Sequence, residues 1–550
     1  MRSTMMDSPL TVAGIMRSGT TVFADSNVVT CTAEGARGRS YEEVGRRAAQ
    51  LACALRRLGI DADQRVATFM WNNAEHLEAY LAVPSMGAIL HTLNIRLSAD
   101  QLAYIANHAA DEVIIADESL APLLATVLPQ MTTVRHVIVT GPSSLTAAAV
   151  ADQLGRAGRQ VHAYEDLLAA EPESFSWPAL DERDAAAMCY TSGTTGSPKG
   201  VVYSHRSMYL HSLGVSLGNT FALSQLDRVL PVVPMFHANA WGLPYAAVLA
   251  GADLTMPDRF LQPEPLARFI ASEHPTVAGA VPTIWNELLR YVRVHGSDLS
   301  SLRMVVCGGS AVPHSLMEAY ERELGVRILH AWGMTETSPL GSVAHPPRGA
   351  SGEEAWRYRD TQGRIIALIE ARLVGDGGKI LPNDGKAVGE IEVRGPWVTG
   401  SYYRDEDTGR FDDGWLRTGD VGTIDPRGFI TLTDRAKDVI KSGGEWISSV
   451  ELENALMGHP DVVEAAVIGV PDDKWGERPF AAVVLREGAS AGPAELREFL
   501  STRVARWQLP ERWSFISEVP KTSVGKFAKT RLREGYAKGE YHVREHEGHE

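Results

Sequence analysis

"TSGTTGSPKG", residues 191–200, decides how the rest of this chain is read. It is rich in glycine and hydroxyl side chains, with one proline and one lysine, and it follows the strand-like run AAAMCY at 185–190. No core element is built from that composition. Glycines let backbone N–H groups come close to oxyanions. The hydroxyls of Thr191, Ser192, Thr194 and Thr195 can donate, and Lys199 adds a mobile cation. The stretch is not a Walker loop: counting from Gly193 the sixth position is Pro198, and from Gly196 the spacing fails as well. Clusters of this kind also make ordinary solvated turns, so the loop by itself leaves a phosphate cradle and a surface turn both open.

Outward from the loop, helices alternate with short β-rich runs. SYEEVGRRAAQLACALRRLG (40–59) has apolar residues at helical spacing, a capping box at Ser40 and Glu43, and a stop at Gly59. RVATFMW (65–71) reads as a strand and HLEAYLAVPSMGAIL as a helix; DEVIIAD (111–117) and RHVIVTG (135–141) read as buried strands. Downstream, DRVLPVVPMFH (227–237), PTVAGAVP (275–282), LRMVVCGG (302–309) and VRILHAWG (326–333) each read as a strand ending in a turn. The pattern predicts an α/β protein with a mostly parallel sheet. Ligands in such sheets collect beyond the carboxyl ends of the strands, so these turns are candidate site walls. From about residue 385 the texture changes to short antiparallel strands, and from about 435 to a compact α+β unit. In that unit Ser448 and Glu451 cap the helix VELENALMGHP, and VVEAAVIGV and FAAVVLREG read as strands around one helix.

The chain has 550 residues, 44% hydrophobic and 22% charged, enough for two or more domains with a large core. A formal net charge of −15 disfavours a nucleic-acid partner but tolerates a local basic pocket. Cys31, Cys53, Cys189 and Cys307 form no CxxC pair and read as free thiols in a reducing compartment. The first residues lack a signal pattern and no apolar run is long enough to span a membrane. The expected compartment is the cytoplasm, with peripheral lipid contact left open.

TSGTTGSPKG resembles the signature loop of the adenylate-forming superfamily of acyl-CoA synthetases, peptide-synthetase adenylation domains and luciferases. Further stretches similar to that family follow in order: PMFHANAW (234–241), AWGMTET (331–337), RTGD (417–420), DRAKDVIKSGGEWIS (434–448) and PKTSVGKF (520–527). The resemblance covers roughly residues 40–540. It runs closest to bacterial medium- and long-chain fatty acyl-CoA synthetases, on SGGEWISSVELENALMGHP and GKFAKTRLRE. It implies a large N-terminal α/β domain (1–433), binding ATP and the acid, and a small mobile α+β lid domain (434–550) hinged at Asp434. It implies ATP, Mg²⁺ and CoA, a fatty acid as substrate, and a homodimer.

What the resemblance implies for individual residues follows from their motifs. Glu336 would bind magnesium, with Thr335 at the α-phosphate, and Asp420 would accept from both ribose hydroxyls. Lys526 would bridge the attacking carboxylate and the α-phosphate. His237 would close the carboxylate end of the acyl site, Trp241 would gate a tunnel, and Val281 and Pro282 would line it. The nucleotide set comprises Thr191, Ser192, Gly193, Thr194, Thr195, Gly196, Lys199, Gly308, Gly309, Ser310, Trp332, Gly333, Asp420, Arg435 and Lys437. The CoA path would involve Lys441, Ser442, Gly443, Gly444 and Trp446. Each has a plainer reading too: Glu336 as a solvated cap, Asp420 as a turn aspartate, Lys526 as a surface lysine, Trp241 as a core aromatic. Trp332 departs from the family, which usually has tyrosine there, and is expected to stack on adenine; His330 and Ala331 also depart. The resemblance implies a fatty acyl-CoA ligase. The rivals are an aryl- or short-chain ligase, an acyl-AMP ligase loading a carrier protein, and a non-catalytic nucleotide-binding scaffold.

Overall fold

The capping box at Ser40 opens the helix Tyr41–Arg57, where the Ser40 hydroxyl accepts from the Glu43 N–H at 3.1 Å. Val44, Ala48, Leu51, Ala52 and Leu55 form its buried face, at the spacing of an amphipathic helix. That face packs on the helix Ala74–Ser85, whose N-cap is Asn73. The stretch expected to be helical to residue 90 therefore ends earlier. After Gly87, at φ +88°, the chain enters the strand Ile89–Thr92. These features come from a computed structural model, which describes residues 1, 3–141, 154, 158–191, 197–406, 408–435, 438–442, 445–472, 474–522 and 526–545.

Arg65–Phe69, Ile89–Thr92, Asp111–Asp117, His136–Thr140 and Gln160–Ala163 pair in parallel in a seven-stranded sheet. Ala185–Tyr190 joins it in parallel, and Gly200–Ser204 closes its edge antiparallel. The chain therefore enters and leaves the glycine-rich stretch on two neighbouring antiparallel strands. Just beyond those strands the Thr191 N–H donates to Lys199 O at 2.9 Å, and the Lys199 N–H donates to Thr191 Oγ1 at 3.1 Å.

A larger sheet holds Asp253–Met256, Arg228–Pro231, Val277–Ala280, Met304–Gly308 and Ile328–Gly333 as parallel neighbours in that order. Beyond Ile328–Gly333 the pairing turns antiparallel, through Leu340–Val343, Gly363–Ile365, Phe429–Arg435, Trp415–Ile424 and Gly389–Arg394. The parallel pairing expected first and the antiparallel strands expected after residue 385 both form, but the antiparallel run begins earlier, at Leu340–Val343. Short connections such as Asp425–Gly428 cannot return a chain to parallel register, which takes a crossover of a dozen residues or more.

The C-terminal unit has its own sheet. Val462–Asp472 and Gly476–Leu485 pair directly, from Val462↔Leu485 to Asp472↔Gly476. No helix separates them, contrary to the sequence expectation; Arg512–Phe515 then adds in parallel. The helix Ser449–Met457 starts as expected, the Ser448 hydroxyl accepting from the Glu451 N–H at 3.0 Å. The molecule is mixed α/β, with a large N-terminal and a small C-terminal part. Among the described residues no helix is long and apolar enough to cross a membrane.

Candidate active site

The parallel strands Met304–Gly308 and Ile328–Gly333 end side by side, and their ends form one wall of a cavity of about 1730 Å³. A single small ligand needs ~300–1,000 Å³, so there is room for two substrates. Gly308, Gly309, Ser310, Trp332 and Gly333 line this wall. Two of them must be glycine. A β-carbon at Gly308 would lie 2.5 Å from Ala331 O, and one at Gly333 would lie 1.9 Å from Pro339 O.

After Gly333 the chain makes the single helical turn Thr335–Thr337, which brings Thr335 and Glu336 to the cavity. Both are buried, and neighbouring elements fix them. The Tyr203 hydroxyl donates to Thr335 O at 2.7 Å, and the Thr399 N–H donates to Glu336 O at 2.8 Å. The Tyr402 hydroxyl donates to Glu336 Oε1 at 2.6 Å. Burial, and then the neighbouring Glu336 charge, push the Tyr402 phenol up, so it stays a donor. Lys199 reaches the same corner: its Nζ lies 2.9 Å from Asp405 Oδ2 and 4.9 Å from the centre of the Tyr402 ring. Tyr402 and Asp405 carried no signal in the sequence, because SYYRDEDTG reads as a turn and its contacts with Glu336 and Lys199 are long-range.

Asp420, on the strand Trp415–Ile424, is buried at another wall. Its N–H donates to Thr418 Oγ1 at 3.0 Å, and the Thr418 hydroxyl donates to Ile391 O at 2.7 Å. The Trp332 indole N–H donates to Asp420 Oδ2 at 2.8 Å. Trp332 is thus more than a ring facing a base: its edge is committed to a carboxylate 88 residues away.

Lys526 enters from the C-terminal unit. Its Cε and Val281 Cγ1 would each stand 3.3 Å from a β-carbon at Gly309, where φ is +82°. Two hydrogen bonds tie it to Thr522: the Lys526 N–H donates to Thr522 Oγ1 at 3.1 Å and the Thr522 N–H to Lys526 O at 2.6 Å. His237 lines the same cavity. Burial, and then the Lys526 ammonium, push its pKa down to about 3, so its imidazole is neutral and can accept a hydrogen bond.

Trp241 and Pro282 also line the cavity; Val281 is beside Gly309. Trp241 is carried on an unusual turn. Ala238, Asn239, Ala240 and Trp241 all have positive φ, at 42°, 51°, 49° and 58°, and Gly242 follows at 72°. This is a left-handed turn, closed by the Ala240 N–H on His237 O at 3.1 Å and the Gly242 N–H on Asn239 O at 2.9 Å. Gly242 cannot carry a side chain, since a β-carbon would lie 2.6 Å from the His211 ring.

The site therefore gathers Thr191, Lys199, His237, Trp241, Pro282, Gly308, Gly309, Ser310, Trp332, Gly333, Thr335, Glu336, Asp420 and Lys526 around one cavity. Ser442 is not brought there; its hydroxyl accepts from Arg478 Nη1 at 3.1 Å. The backbones of Asp434 and Arg435 lie in the strand Phe429–Arg435, that of Lys441 in Ile440–Ser442 and that of Trp446 in Glu445–Ile447. Ser192, Gly193, Thr194, Thr195, Gly196, Lys437, Gly443 and Gly444 lie outside the described residues.

Comparison with known proteins agrees with this fold and cavity. The family model described as AMP-binding enzyme matches residues 20–403, and the AMP-binding enzyme C-terminal domain matches residues 451–526. The chain is 45% identical to a long-chain-fatty-acid–CoA ligase of Thermus thermophilus, over 97% of each chain. It is 42% identical to a 3-methylmercaptopropionyl-CoA ligase of Ruegeria pomeroyi, over 97% of this chain and 98% of that one. A crystal structure of an anthranilate CoA ligase in complex with anthranoyl-AMP superposes with a TM-score of 0.85 at 26% identity, covering 97% of this chain and 99% of that chain. The chain belongs to the AMP-binding enzyme family.

Proposed function

We propose that this enzyme is an AMP-forming fatty acyl-CoA ligase, which activates a medium- or long-chain fatty acid with ATP and then joins it to CoA. One observation carries the reading: Lys526 of the small unit stands at Gly309, over the cavity that Thr335, Glu336, Asp420 and His237 share. A displacement at phosphorus gathers negative charge, and catalysis there consists mainly of fixed positive charge and donors. In the first step the fatty carboxylate attacks the α-phosphorus of ATP and pyrophosphate leaves. Lys526 would neutralise the two oxyanions brought together, and neutral His237 would border the acid's carboxyl end without repelling the lysine. Asp420 would hold the ribose, and Thr335 the α-phosphate. In the second step the CoA thiolate attacks the acyl carbon and AMP leaves.

Magnesium fits the donor set at Glu336. It takes hard oxygen ligands, keeps several waters and needs only one or two carboxylates. Glu336 offers a buried carboxylate on the cavity, oriented by Tyr402, and Thr335 adds an oxygen beside it. When bound, the metal would draw charge off the phosphates.

Lys526 lines the cavity in this arrangement, whereas Ser442 lies off it. The second step then calls for the small unit to turn about Asp434, exchanging one for the other. A short-chain acid is the second reading, favoured by the resemblance to the Ruegeria ligase and by the indole of Trp241 on the cavity wall. The test is ATP-dependent pyrophosphate release with carboxylates from acetate to oleate plus aryl acids, each with and without CoA. Activity peaking at medium or long chains, with acyl-CoA formed only when CoA is present, supports the proposal. A peak at short or aryl acids replaces its substrate class, and pyrophosphate without acyl-CoA points to a carrier-loading ligase. No pyrophosphate with any acid overturns it.

A further inference from the structure

Trp332 stands where the family usually has tyrosine, and its indole N–H has a specific target. The bond to Asp420 Oδ2 is 2.8 Å, and both side chains are buried at the cavity wall. A hydrogen bond to an ionised acceptor is roughly twice as strong as a neutral one. The indole is packed closely by its neighbour. A β-carbon on Gly341 would lie 2.5 Å from Trp332 Cζ3, so that glycine packs directly on the ring. The backbone around Trp332 is also set by a register shift between Trp332 and Gly333 against Leu340–Val343.

We infer that Trp332 is a positioning residue for sugar recognition: through its N–H it fixes the rotation of the Asp420 carboxylate and thereby sets selectivity for the ribose diol. This deepens the proposed function and rests on Asp420 receiving the nucleotide sugar. A carboxylate that rotates freely adapts to one hydroxyl or two. One tied at an oxygen by a rigid donor is pre-aligned for a fixed pair of hydroxyls, and discriminates against a sugar that lacks one. A carboxylate has about four acceptor sites, and the indole takes one of them. Base and sugar recognition become coupled, since the ring that borders the nucleotide cavity also orients the sugar's acceptor.

The experiment compares kcat/KM for ATP with those for 2′-deoxy-ATP and 3′-deoxy-ATP, in wild type, Trp332→Phe and Trp332→Phe/Asp420→Asn. A fourth protein carries 3-benzothienylalanine at position 332, which keeps the bicyclic ring and replaces the N–H by sulfur. The expected result is a five- to tenfold loss of preference for ATP over the deoxynucleotides in both ring variants. The change should appear mainly in KM, and Trp332→Phe should have little further effect once Asp420 is Asn. Unchanged discrimination in the benzothienyl protein overturns the inference. So does an equal loss with all three nucleotides, which is what a purely packing role predicts. Wild-type protein that releases no pyrophosphate with any acid fails the proposed function itself, a result distinct from both.

Discussion

Removing one oxygen tests how the Glu336 corner is built. In Tyr402→Phe the ring stays beneath Lys199, and phenylalanine still offers its face to a cation. Only the donor to Glu336 Oε1, at 2.6 Å, is lost. A hydrogen bond to a charged group contributes ~1.5–3 kcal/mol, and a carboxylate left short of a partner in a dry interior would cost the upper figure. Glu336 borders a cavity, however, and water can replace the phenol there, so the lower end applies. About 1.5 kcal/mol is roughly tenfold. The expected outcome is a tenfold fall in kcat/KM for ATP, with the Mn²⁺ or Mg²⁺ concentration for half-maximal rate shifted upward and KM for the acid unchanged. Pyrophosphate release under varied ATP, metal and acid gives all three numbers. A variant within twofold of wild type in ATP and metal dependence would refute the view that Tyr402 orients this carboxylate.

Other outcomes follow from the same geometry. Lys526→Ala should cut acyl-adenylate formation by about 10²–10³-fold, the scale of losing one fixed charge-stabilising group, yet leave CoA transfer from supplied acyl-adenylate within a few fold; equal losses in both steps would contradict the proposed exchange of loops. Gly341→Ala pushes a methyl to 2.5 Å from the Trp332 ring and should destabilise the chain by ~1–3 kcal/mol in urea unfolding while raising KM for ATP. His76 and His211 are buried, and desolvation depresses their pKa values to about 4 and about 3. A depressed histidine pKa means the unfolded chain binds more protons between those values and about 6.5. Stability should therefore be full above pH 6.5 and decline as the pH falls, by on the order of 1–2 kcal/mol per histidine at pH 5. Urea midpoints that stay flat from pH 7.5 to 5 would contradict this.

Local chemistry was legible in the sequence wherever it acts over a few residues. The Ser40 and Ser448 caps, and the buried strands Asp111–Asp117 and Met304–Gly308, form where hydroxyls, glycines and apolar runs indicated. Pairing was less legible. Val462–Asp472 and Gly476–Leu485 form a hairpin whose turn, around Lys474, offers no glycine–asparagine signature, and a helix was expected near them instead. The short antiparallel strands after residue 385 were legible as such, but not their joining the parallel strands in one sheet, because composition does not say which strand is a neighbour. At the site, motif residues carried their own signal, and the residues that hold them did not. Tyr402 meets Glu336 from 66 residues away and Trp332 meets Asp420 from 88. Nothing in ANAW, two alanines among its four residues, announces a left-handed backbone.

That left-handed turn limits how this enzyme can be changed. Each non-glycine residue in such a conformation costs roughly 1–2 kcal/mol, with asparagine among the better tolerated. Four in succession store strain that the surrounding core must hold in place. Whatever shapes the cavity admits in place of the Trp241 indole, the main chain admits fewer. Valine, isoleucine and threonine crowd the backbone at positive φ, so substitutions that suit the pocket by size would fail for a reason unrelated to it. Asparagine and glycine are the residues this stretch of chain welcomes. The repertoire by which this wall of the cavity can change, in a laboratory or over generations, is therefore filtered first by the handedness of five peptide units and only then by the room beyond them.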